Sequence, residues 1–117
     1  MLHALTDALY GALGKGDIGF YFPPSDDQWK DMDSTHFLQH AMNCIHTEYA
    51  QLINVDITIV CETPKIQPHR DTMKHRLSHL LNISENKISI KATTSEKLGF
   101  TGRKEGIAAH AHVLVLR

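Results

Sequence analysis

The sequence predicts an α+β fold: a mixed β-sheet with helices on one face and its other face buried against further subunits. Two observations lead there. Helix-period and strand-period segments follow one another along the chain, and the last strand carries apolar side chains on both faces. One layer of helices covers one sheet face, so the second face implies an oligomer. A chain of 117 residues, 42% hydrophobic and 21% charged, fits one ordered domain spanning residues 1–117.

The first helix is expected over Leu2–Leu13, with Leu2, Leu5, Leu9, Ala12 and Leu13 at helical spacing and Gly14 and Gly16 as stops. Residues 16–33 read as one long loop: Gly16-Asp17-Ile18-Gly19, the aromatic run Phe20-Tyr21-Phe22, then Pro23-Pro24-Ser25-Asp26-Asp27. Loops of this length in compact domains are often functional. Asp33 or Ser34 caps a second helix whose core stripe is Leu38, Met42, Ile45, Tyr49 and Leu52. Residues 54–61 alternate as a strand, with Val55, Ile57, Ile59 and Cys61 on one face. A third helix turns Met73, Leu77, Leu80 and Leu81 inward, and Ile88, Ile90 and Ala92 mark the next strand. The last strand is expected over Ile107–Leu116. Ala109, Ala111, Val113 and Val115 point one way; Ala108, His110, His112, Leu114 and Leu116 point the other.

A formal charge of −1 gives no bulk electrostatic reason to expect a nucleic-acid or membrane partner, so any phosphate must be gripped locally. No apolar run approaches a membrane span. Cys44 and Cys61 lack redox or metal spacing, and no secretory signal precedes them, which favours a reduced cytoplasmic setting.

Three segments suit a diphosphate and a cation. His3 and Asp7 stand at i and i+4, either a metal ligand with its orienting carboxylate or a solvent-facing pair. Thr93-Thr94-Ser95 ends a strand with successive hydroxyls, and Glu96 follows as a candidate cation ligand; the same residues equally make an ordinary polar turn. Lys97 and Arg103 add positive charge, and Gly99 and Gly102 permit close backbone approach. Thr63-Pro64-Lys65 follows a strand end, where Lys65 is either a phosphate contact or a solvated lysine. The pairs His36/His40 and His75/His79 read as surface histidines without a third ligand.

These segments together resemble the 2-C-methyl-D-erythritol 2,4-cyclodiphosphate synthase family. The resemblance runs through Leu2-His3-Ala4-Leu5-Thr6-Asp7-Ala8-Leu9, Gly16-Asp17-Ile18-Gly19, Phe22-Pro23, Trp29-Lys30, Asp33-Ser34 and Pro64-Lys65. Its most specific stretch is Lys91 to Arg103, followed by Glu105-Gly106-Ile107-Ala108. The resemblance implies a homotrimer with active sites at subunit boundaries, in a bacterial cytoplasm or a plastid stroma. It implies a cytidine diphosphate-linked substrate, 4-diphosphocytidyl-2-C-methyl-D-erythritol 2-phosphate, cyclised with release of CMP. The nucleophile is then the substrate's own phosphate, and the protein positions and stabilises charge.

Residue by residue, the resemblance makes His3 one of three zinc ligands, Glu96 the ligand of magnesium or manganese, and Thr94 the catalytic hydroxyl. Asp17, Ile18, Gly19, Phe22 and Asp26 fall on the methylerythritol side. Cys61, Glu62, Thr63, Pro64, Lys65, Ile66, Gln67 and Thr93 fall on the cytidine-diphosphate side; Ser95, Phe100 and Arg103 are further ligand-facing positions. The family begins with two strands carrying an Asp-x-His pair, which these residues do not include, so the sequence is expected to be an N-terminal truncation with little activity alone. Pro24 replaces an acidic residue usual in the family, and His110 stands where the family can have an acidic residue near the trimer axis. A second reading is a catalytically dead trimer that keeps the cytidine-nucleotide or diphosphate pocket without zinc.

Overall fold

A computed structural model of the chain describes residues 1–26, 28 and 31–117; Asp27, Trp29 and Lys30, named above, lie outside the described residues. Helix α1 (Leu2–Ala12) buries Leu5 and Leu9 as expected, and also Thr6 and Tyr10. The two polar groups are tolerated there because each is bonded. Thr6 Oγ1 donates to the Leu2 carbonyl at 2.7 Å, and Tyr10 Oη lies 2.6 Å from His40 Nδ1. Burial, reinforced by nearby Cys44, Tyr21 and Asp7, pushes the Tyr10 phenol well above its ordinary pKa, and its short bond joins it to the His40 ring. Tyr10→Phe is therefore expected to lower the unfolding free energy by about 1–2 kcal/mol, because His40 loses its partner. Urea denaturation measures this, and an unchanged midpoint and slope would show that the bond adds nothing.

The stretch after α1 is not wholly irregular. A single turn, α2 (Ile18–Tyr21), forms where Asp17 Oδ1 accepts from the Phe20 N–H at 3.0 Å. Helix α3 (Ser34–Thr47) is capped by Asp33, whose Oδ1 accepts from the backbone N–H and the hydroxyl of Thr35, each at 3.0 Å. Those bonds, the backbone one first, hold the Asp33 carboxyl below the usual range. Leu38, Met42 and Ile45 are buried as predicted. The stripe stops earlier than its periodicity suggests: Tyr49 is 95% exposed at φ +56°, and Leu52 belongs to the next strand.

Strand β1 (Gln51–Val60) is central. It pairs in parallel with β2 (Ile88–Thr93) and antiparallel with β3 (Ala108–Leu116), giving a mixed sheet of order β2-β1-β3. Helix α4 (Arg70–Leu81) is the crossover that a parallel pair requires, entered through a 3-10 turn at Gln67–His69. A one-turn α5 (Gly99–Gly102) lies between β2 and β3. Val55, Ile57, Ile59, Ile88 and Ile90 pack on Leu5, Leu9, Leu38, Ile45, Leu77 and Leu81, so the helices cover one sheet face. The opposite face carries Asp56 across from His112, a Lys91–Asp56 ion pair of 3.0 Å, and the exposed Leu114 and Leu116. Within a single chain that face is open, as the apolar pattern of the last strand anticipated.

Candidate functional site

Because β1 and β2 run parallel, their carboxyl ends, Val60 and Thr93, stand side by side at one edge of the sheet. Strand β3 begins at that same edge, with Ala108 opposite Val60. Loops leaving parallel strands at their carboxyl ends are a natural place for ligands. Here a cleft of about 170 Å³ opens between them. One wall is Cys61, Glu62 and Pro64 to Gln67; the other is Ala92, Thr93 and Thr94, with Arg70 from the start of α4. Cys61 is buried, with its Sγ 3.5 Å from the Pro64 carbonyl, and the Thr63–Pro64 bond is cis.

The two loops are tied to one another. Glu62 Oε1 accepts from the Lys97 N–H at 3.1 Å. Ser95 Oγ donates to the Leu98 carbonyl at 2.6 Å and lies 2.7 Å from Thr101 Oγ1, so this hydroxyl is engaged inside its own loop. Glu96 and Lys97 both adopt left-handed backbone, at φ +54° and +68°, an uncommon state for residues with side chains. It persists because Gly102 leaves room for it: a Cβ on Gly102 would come within 2.1 Å of the Lys97 carbonyl carbon. Thr94 Oγ1 accepts from the Glu96 N–H at a long 3.3 Å, which ties Glu96 beside the cleft without placing it in the wall. Arg103 is paired with Glu105 through contacts of 2.7 and 3.2 Å. Phe100 is half exposed over Gly106. Neither residue lines the cleft in this chain.

A second cleft, about 340 Å³, is lined by His3, Ile18, Phe22 and Asp26 together with Ser34 and Phe37. Its loop hangs from α1, because Asp7 Oδ1 accepts from the Ile18 N–H at 2.9 Å. That answers the question left open for Asp7: its carboxylate holds the loop, while His3 Nε2 lies 3.2 Å from Ser34 Oγ. His3 also stands edge-on to Phe37, with ring centroids 5.8 Å apart. Asp17 and Gly19 shape α2 below this cleft rather than line it. Of the predicted residues, Cys61, Glu62, Pro64 to Gln67, Thr93 and Thr94 line the first cleft and His3, Ile18, Phe22 and Asp26 the second, while Asp17, Gly19, Thr63, Ser95, Glu96, Phe100 and Arg103 line neither. A further cleft at the opposite sheet edge, between His46, Gln51 and Lys87, holds none of them.

Arg70 is a charged residue of the strand-end cleft that sequence reasoning missed. An arginine at the first position of a helix has no pattern that separates it from a surface one. Among the described residues its Nε is buried without a partner.

Whether the residues fit a metal differs between the two implied sites. Among the described residues no group of three His, Cys, Asp or Glu is placed to hold an ion, so His3 makes no zinc site with the other described side chains. Glu96 is exposed, and no hydrogen bond or ion pair to its carboxylate occurs among the described residues. One carboxylate completed by substrate phosphates is an ordinary way to bind magnesium. Glu96 fits that role.

Among the described residues no helix is long and apolar enough to cross a membrane. The YgbB family model matches residues 1–116. The chain is 57% identical over 115 residues to a bifunctional enzyme IspD/IspF from Gluconobacter oxydans, covering 98% of this chain and 30% of that protein. It is 56% identical over 116 residues to 2-C-methyl-D-erythritol 2,4-cyclodiphosphate synthase from Cereibacter sphaeroides, covering 99% of this chain and 73% of that one. In structure it matches the Plasmodium falciparum IspF–CDP complex with a TM-score of 0.87 at 36% identity, over 98% of this chain and 69% of that chain. The chain spans under a third of the bifunctional relative and about three quarters of the single-function one. On the family match, and on identity of this level across nearly all its residues, the chain belongs to the YgbB family of 2-C-methyl-D-erythritol 2,4-cyclodiphosphate synthases.

Proposed function

We propose that this chain forms the cyclising domain of a 2-C-methyl-D-erythritol 2,4-cyclodiphosphate synthase, a phosphorus–oxygen lyase of isoprenoid precursor synthesis. An oxygen of the substrate's 2-phosphate forms a bond to the β-phosphorus of the cytidine diphosphate. The bond from that phosphorus to the bridging oxygen breaks, and CMP leaves with the bridging oxygen. No protein nucleophile is needed. The observation that carries the reading is the strand-end cleft, which brings Lys65, Thr93 and Thr94 to one place in a member of this family. A structural relative in complex with CDP supports a cytidine diphosphate ligand there.

In this reading Cys61 to Gln67 hold the cytidine side, and Lys65 and Thr93 meet its phosphates. The Thr94 hydroxyl donates to the phosphoryl oxygen on which charge grows. A magnesium or manganese ion held by Glu96 supplies positive charge to the phosphates when bound. The left-handed turn at Glu96 and Lys97, fixed by Glu62 and Gly102, sets the height of that carboxylate beside Thr94. His3, Ile18, Phe22 and Asp26 line the methylerythritol side, and a trimer built on the open sheet face brings one chain's strand-end cleft to its neighbour's His3 cleft. Ser95 supports the loop, and Phe100 and Arg103 approach the ligand from its rim.

The direct test is CMP release from 4-diphosphocytidyl-2-C-methyl-D-erythritol 2-phosphate by the full-length, assembled protein. No release by a folded, metal-supplied sample would reject the reading. Residues 1–117 prepared alone are expected to release little or no CMP even with zinc and magnesium, since among the described residues His3 belongs to no set of three ligands. Substantial turnover by that piece would contradict the zinc assignment.

A further inference from the structure

We propose that Arg70 is a specificity-determining residue of the strand-end cleft, binding the phosphate of a nucleoside phosphate jointly with Lys65. The proposal rests on reading this cleft as a nucleotide site and adds a group that the resemblance does not supply. Arg70 lines the cleft beside Lys65, Thr93 and Thr94. Its Nε is buried and has no hydrogen-bond partner among the described residues. A buried guanidinium N–H without an acceptor is costly, and the cost falls on the free protein unless a ligand meets it.

The placement is also unfavourable by charge. Arg70 opens α4, where the partial positive end of the helix dipole repels a cation. No ion pair relieves it: among the described residues neither Arg70 nor Lys65 is bonded to a carboxylate. The cleft's own carboxylate, Glu62, is engaged by the Lys97 N–H. The cleft therefore presents two cationic side chains with no protein anion bonded to either. The missing partner is anionic, which selects the phosphate of a nucleotide over its uncharged base. A planar guanidinium also matches phosphate oxygens in pairs, beyond the point charge that Lys65 offers.

Calorimetry on the full-length, assembled protein, with CMP and cytidine as the probes, tests this. Arg70→Gln is expected to weaken CMP binding about 10- to 100-fold while leaving cytidine binding unchanged. The salt dependence of CMP binding should fall with it, and Arg70→Lys should restore part of the loss. If Arg70→Gln keeps the wild-type preference for CMP over cytidine, the assignment is overturned while the nucleotide reading stands. Equal loss of both ligands makes Arg70 structural and also overturns it. A wild-type protein that binds no CMP removes the nucleotide reading and this assignment together.

Discussion

Gly102→Ala is expected to lower turnover by on the order of 100-fold while costing only about 1–3 kcal/mol of overall stability. The new methyl group would stand 2.1 Å from the carbonyl carbon of Lys97 and 2.6 Å from its Cα. Backbone cannot rotate away as a side-chain tip can, so the turn at Glu96 and Lys97 has to move. That turn is already in left-handed backbone and is held by single bonds, Lys97 N–H to Glu62 and Glu96 N–H to Thr94. Moving it displaces the proposed cation ligand and the proposed catalytic hydroxyl together. The damage stays local, because the 95–105 loop lies outside the core cluster of leucines and isoleucines. Gly14→Ala is a fitting comparison. Gly14 has φ +70° with nothing within 4 Å of an added Cβ, so its cost is backbone strain alone, about 1 kcal/mol, without loss of activity. Kinetics and thermal melts of both variants check this. Near-wild-type turnover by a folded Gly102→Ala protein would mean that the turn is not what positions the site.

The core was legible because burial follows period: Leu5, Leu9, Leu38, Ile45, Ile57 and Ile90 are where 3.6- and 2-residue spacing put them. The end of α3 was not. Tyr49 lies four residues beyond Ile45 and fits the stripe by spacing, but Gln51 pairs with Leu116 across the sheet, and the chain has to leave the helix first. A strand pairing 65 residues away leaves no mark in the local sequence. The turn at Ile18–Tyr21 had a local signal, Asp17 ahead of an apolar run, which the surrounding glycines and prolines masked. For the site, motif named residues of which the fold gathers part at the two clefts, but their hydrogen-bond duties were not readable. Asp7 and Ser95 are residue types that suit ligands, and each is used to hold a loop. Arg70 is the converse, an unremarkable residue in sequence that tertiary packing carries to the cleft.

Thr94→Ala is expected to reduce kcat by about 100- to 1,000-fold with KM changed only a few-fold. Thr94 lines the cleft at the end of β2, and the bond its Oγ1 accepts from Glu96 uses an oxygen lone pair and leaves the O–H proton free to donate. A donor aimed at a phosphoryl oxygen matters most when that oxygen gains charge, so its loss falls on the transition state more than on the bound substrate. Thr94→Ser keeps the hydroxyl and should retain most of the rate; Thr94→Val keeps the shape and should not. Arg70→Gln divides the other way, weakening CMP binding. On the proposed function, the pair separates two jobs of one cleft, holding the leaving nucleotide and stabilising the charge that forms as it departs. A Thr94→Ala protein with raised KM and unchanged kcat would place Thr94 on the binding side of that division.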